Sequence, residues 1–245
     1  MLPEKLQDIL TNHDPEDIAI SFLQVDNENM EPIFKIQVSG FGYNDEENYV
    51  LEWRIKTVQY RSSRISLDAA SSIELSNDDP LLWYYSDKQC SIYFKGYCSD
   101  TDKLFLDLYR VHNSIFNGLL NFEETLNQPS NFDSLIQSKN GLLANGPRKL
   151  LEKYATVLDK HKMQYSIIGD RVPQYWDGEK HIDEIGNATV LFIDSSYIIA
   201  DKFVFVGWQK QQATKGFVQL GLDVEAIIGS AYLSFIFGRR NSVGH

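Results

Sequence analysis

Cysteine is scarce in this chain: two in 245 residues, Cys90 and Cys98, at the ends of CSIYFKGYC. On one extended strand, at roughly 3.3 Å per residue, they would stand about 26 Å apart, far beyond disulfide reach. The expectation is a pair of free thiols in a reducing compartment, which points to the cytoplasm. Long apolar runs are scarce too. The longest, AIIGSAYLSFIFG at 226–238, falls short of the roughly 20 residues a helix needs to cross a bilayer. It reads as a buried strand or short core helix, offers a homodimer contact, and gives no membrane partner. The opening MLPEKLQDIL lacks the basic start and apolar centre of a signal peptide.

Basic residues are nearly missing from the first fifth. Residues 1–52 hold twelve Asp and Glu against two Lys, which leaves twenty-two acids and twenty-one bases for 53–245. Nearly all of the net charge of −11 is therefore N-terminal. Such a field repels phosphate backbones and excludes nucleic acid as a partner. It attracts a basic protein surface and speeds that encounter. Asp45, Glu46 and Glu47, in a turn, are the densest acidic group and the first candidates for partner binding.

Catalytic signatures are missing as well. GLLANGPR (141–148) has the glycine spacing of a phosphate loop, but Pro147 and Arg148 stand where Lys and Ser or Thr are needed. SGFGYND puts Asp45 at the third glycine of a dinucleotide fingerprint. No Gly-x-Ser-x-Gly elbow occurs, and no two histidines lie at zinc-ligand spacing. No cofactor and no metal are expected, and the sequence leans away from an enzyme.

What is present is a strand-rich globular pattern, 43% hydrophobic and 13% aromatic. FKIQVSGFGY (34–43) and YVLEWRIKTVQY (49–60) alternate apolar and polar residues around NDEEN, which predicts an antiparallel hairpin. SIEL, LLWYYS and CSIYFKGYC continue a meander through residue 98. The period then changes. Leu104, Leu108, Val111, Ile115, Leu119, Phe122 and Leu126 recur at steps of three and four, predicting one long helix over 99–127 that covers the sheet. Polar residues at 129–146 read as a linker, and 147–162 as a second helix with Pro147 in its first turn. ATVLFID and YIIADKFVFVGW, joined by Ser195 and Ser196, form a further hairpin. The class is α+β, mostly antiparallel, with halves at 1–128 and 147–245 that can pack as one domain.

Two places carry the remaining chemistry. YWDGEKHIDE (175–184) alternates Asp177, Glu179, His181 and Asp183, so an extended backbone would aim all four one way. Glu179 and His181 would supply an acid–base pair or two metal ligands, yet Pro173 and Gly178 break any long strand and favour a polar loop. Trp176 would pack that loop on the body, and with Asp177 it joins the partner-binding candidates. His112, beside Tyr109 and Phe116 at helical spacing, is either a base in a pocket or a core histidine bonded to a backbone carbonyl. The function expected is a cytoplasmic binding protein of inhibitor or immunity type, with an acidic surface for a basic protein. The alternative is a small-molecule domain or enzyme with a pocket between sheet and long helix, using His112 or His181.

Overall fold

The computed structural model describes residues 1–28, 31–40, 49–176, 179–183, 187–207 and 210–211. Asp45, Glu46, Glu47, Asp177 and the apolar run 226–238 lie outside them. Residues 1–212 make one compact unit. Its fold is α+β with antiparallel sheets.

Helix α1 (Glu4–Asn12) opens the chain and buries Leu6 and Ile9. Strands β1 (Ile18–Glu28), β2 (Glu31–Gly40) and β3 (Tyr49–Arg64) follow. The alternation in β2 is realised as buried Phe34, Ile36 and Val38. β4 (Ile73–Ser76) is short. The next segment departs from the meander. Pro80–Leu82 is a 3-10 turn, begun by the Asp79 carboxylate accepting from the Leu81 amide, and α2 (Trp83–Ser86) continues it. Pro80 at the first turn and Asp79 as the cap override the β-preference of the aromatics. Strand β5 (Gln89–Lys95) then leaves the first sheet altogether.

Helix α3 (Thr101–Phe116) is capped by the Asp100 side chain on the Lys103 amide. It ends at Asn117, φ 49°, with Gly118 next at φ 74°. The expected continuous helix over 99–127 is therefore two: α3 and the single turn α4 (Phe122–Thr125). Asn-Gly is a left-handed stop, and it outranks an apolar stripe that resumes one turn later. The linker expected at 129–146 holds a 3-10 turn, α5 (Phe132–Gln137) and strand β6 (Asn140–Pro147). Helix α6 (Arg148–Lys160) is close to the expected 147–162. β7 (Gln164–Arg171), β8 (Gln174–Trp176), β9 (His181–Asp183), β10 (Thr189–Ile193), β11 (Ser196–Val206) and β12 (Lys210–Gln211) complete the described chain.

The large sheet runs β1-β2-β3-β11-β10-β4, with β12 also on β3; the second runs β6-β5-β7, and β8-β9 is a separate hairpin. α6 packs on the second sheet and α3 packs on α6, so α3 is one layer further out than its apolar stripe suggested. β10 and the first half of β11 are buried on both faces. Val190, Tyr197 and Ile199 join a core with α3, α6 and the second sheet, while Leu191, Ile193 and Ile198 join one under α1. That double burial is why TVLFI and SYIIA lack polar alternation.

Candidate functional site

His112 is buried between α3 and α6. Its Nδ1 lies 2.8 Å from the Tyr154 hydroxyl and its Nε2 3.0 Å from the Leu120 carbonyl. A carbonyl only accepts, so Nε2 carries the hydrogen and Nδ1 accepts from Tyr154. Burial holds its pKa below the ordinary histidine value and keeps it neutral. A cavity of about 770 Å³ lies beside it, lined by Arg64 and Tyr197 of the sheet and by Tyr109 and Asn113 of α3. That cavity sits where a pocket was expected, but both nitrogens of His112 are engaged. The ring ties the 117–121 turn to α6, with no lone pair to offer a substrate.

The stretch YWDGEKHIDE forms no single strand. Trp176 pairs with His181 and Gln174 with Asp183 across the β8–β9 hairpin, so His181 and Asp183 lie on a strand antiparallel to 174–176, and Asp177 lies outside the described residues. Trp176 is 57% exposed and stands edge-on to His181 at 5.2 Å. The anchor is instead Tyr175. Its hydroxyl accepts from Gln59 Nε2 at 2.8 Å, and the Arg61 guanidinium lies 4.0 Å over its ring. Arg61 in turn bonds the Asp201 carboxylate at 2.9 Å, both side chains nearly buried. Gln59, at φ 54°, lies next to an irregularity in the β3–β11 register, so the hairpin docks on a bulge. Glu179 lies in the bend before β9. Among the described residues no three His, Cys, Asp or Glu cluster as metal ligands.

The structure assembles a different constellation, from three segments. Cys98 lies just before the α3 cap, Asp107 on α3, and His161 at the end of α6. His161 Nε2 is 3.0 Å from Asp107 Oδ2, and its Nδ1 is 3.8 Å from Cys98 Sγ. A carboxylate only accepts, so Nε2 donates to Asp107 and Nδ1 turns its lone pair to the sulfur. Sγ also lies 3.3 Å from the Asp100 carbonyl, a second acceptor for the thiol proton. Lys160 Nζ reaches Asp107 Oδ2 at 3.0 Å and Arg110 lies 3.8 Å from Oδ1. Hydrogen bonds from His161 and then Lys160 hold the Asp107 carboxyl below the usual carboxylate range. The turn after α6 aims the ring: Lys162 takes φ 58° and the His161 amide donates back to the Val157 carbonyl.

This cluster opens into a cavity of about 480 Å³ lined by Tyr97, Cys98, Asp100, Lys103, Lys160, His161 and Lys162. Sequence reading missed it because His161 lies 54 positions from Asp107 and 63 from Cys98, and Lys160-His161-Lys162 passes as ordinary complement to a helix dipole. The one available signal was a cysteine and a histidine in the same chain, which are brought together in space rather than in sequence. Cys90 differs. Its thiol donates to the Gly169 carbonyl at 2.9 Å, and burial pushes its pKa up. Both cysteines are free and buried. No family model, no curated protein and no solved structure matches this chain.

Proposed function

We propose that this chain is a binding protein of inhibitor or immunity type, working in the cytoplasm, whose acidic N-terminal surface receives a basic protein partner. The observation that carries this reading is the outer edge of the large sheet. β1 is its edge strand among the described residues. Near its start Ile20 exchanges backbone bonds with Ala70, which covers that part. Beyond the register shift at Leu23, Leu23 and Val25 are 44% and 53% exposed, and Asp26 and Glu28 are exposed beside them. Glu4, Asp8, Asp14 and Glu16 add exposed acids on the segments leading to β1. An edge with apolar steps and acidic neighbours suits an extended, basic segment that adds as a further strand. Trp176 is a separate exposed aromatic of the kind that anchors interfaces.

The test begins with capture on the intact protein and identification of what binds. The purified partner should be basic at its contact surface. Val25→Lys, a like charge on the edge, should abolish binding while leaving the melting curve intact. A partner with an acidic contact surface, or one bound equally well by the Val25→Lys protein, would overturn the reading.

A further inference from the structure

We propose that Cys98, His161 and Asp107 form a reactive-thiol site that takes up small anionic disulfides of the glutathione class, becoming a mixed disulfide at Cys98. The geometry supplies each part. His161 Nδ1, 3.8 Å from Sγ, receives the thiol proton. The Asp107 carboxylate, 3.0 Å from Nε2, fixes the tautomer and stabilises the imidazolium that forms. The Cys98 thiolate then attacks one sulfur of the incoming disulfide. A new S–S bond forms to Cys98 as the old one breaks, and the departing glutathione thiolate takes the proton from His161. The incoming disulfide is the oxidant: Cys98 is oxidised to the mixed disulfide while one glutathione is reduced and leaves as the thiol.

Charge sets the class of disulfide. The protein as a whole is strongly acidic, yet this cavity presents exposed Lys103, Lys160 and Lys162 around the sulfur. Asp100 is the acid in its lining, and its carboxylate is engaged on the Lys103 amide. A volume of about 480 Å³ lies within the roughly 300–1,000 Å³ that holds small organic ligands. Glutathione disulfide, with its carboxylates, fits Lys103 and Lys162 beside a Lys160 held on Asp107; a dicationic disulfide such as cystamine does not. The chain carries its own control in Cys90, which has no histidine partner among the described residues and whose thiol is held protonated by burial.

The experiment uses the full reduced chain, exposed separately to glutathione disulfide and to cystamine. Intact mass and peptide mapping follow the adduct at each cysteine. With glutathione disulfide, Cys98 should gain one adduct at least about tenfold faster than Cys90. His161→Gln should slow Cys98 by roughly tenfold or more and leave the Cys90 rate unchanged, which also reports that the fold is intact. Should that variant not fold, Lys162→Gln on the exposed rim still decides. It should slow glutathione disulfide at Cys98 and leave cystamine unchanged or faster. Equal rates at the two cysteines, an unchanged rate in His161→Gln, or a preference for cystamine that Lys162→Gln does not alter would each overturn the proposal.

Discussion

His112 shows how burial decides a residue's role. A histidine with both nitrogens bonded and a pKa held down by burial contributes to stability only while neutral. Its folded pKa lies below the ordinary 6.5, so the unfolded chain binds the proton first as pH falls. The contribution is full above pH 6.5 and is lost as pH drops below it. Urea melts at pH 7.5 and 5.5 should therefore show wild type losing more stability than His112→Gln. Asp107 and Asp170, whose pKa values are lowered from 3.8, act in a more acidic window and leave this comparison clean. Tyr154→Phe removes the donor to Nδ1 and leaves a buried acceptor unpaired, a cost of about 1–3 kcal/mol. A melt of Tyr154→Phe within error of wild type would show that water replaces the hydroxyl.

At the scale of elements, two substitutions separate the observed chain path from the one the apolar stripe suggested. In a continuous helix through residue 118, Gly118→Ala would stabilise. In the observed turn Gly118 sits at φ 74°, and an added Cβ meets only Asn113 Oδ1 at 3.6 Å, so the penalty is conformational. Gly118→Ala should cost about 1 kcal/mol in urea unfolding. The β8–β9 hairpin gives a similar contrast. Trp176→Ala, at an exposed site, should change stability by less than about 0.5 kcal/mol. Tyr175→Ala should cost more than that and raise hydrogen exchange across 174–183, because it removes the Gln59 bond and the Arg61 stack. Equal exchange in the two variants would mean that Tyr175 is not the anchor.

These elements also mark where sequence reading stops. The β2–β3 and β10–β11 hairpins and helix α6 were legible because their signals are local: alternation, a short polar turn, and proline at a helix start. Strand β5 was legible as a strand, but its partners were not. Alternation states which face is buried and says nothing of which strand lies alongside, and β5 pairs with β6 across α3, α4 and α5, and with β7 across α6 as well. LLWYYS misled because aromatic β-preference is weak beside a capped proline turn. Cys98, His161 and Asp107 were invisible because only the packing of α3 on α6 brings them together.

For the whole molecule, the uneven charge is the property with the longest reach. Residues 1–52 carry a net of −10, from twelve acids and two lysines, and the described acids there are largely exposed. If this segment meets a basic partner, the field acts mainly on the encounter and little on the lifetime of the complex. Raising salt from about 50 mM to about 500 mM shortens the screening length from roughly 14 Å to about 4 Å, so the association rate should fall steeply while dissociation changes little. Asp45→Asn with Glu46→Gln and Glu47→Gln should move the same rate in the same direction, and the variant should melt as wild type does, because like charges adjacent in sequence add little to stability. The two perturbations should also overlap: at high salt the triple variant and the wild type should associate at nearly equal rates. Stopped-flow association at both salt concentrations measures all of this. A rate indifferent to salt and to the three substitutions would leave the acidic segment as a determinant of solubility, with recognition resting on the apolar steps of the β1 edge.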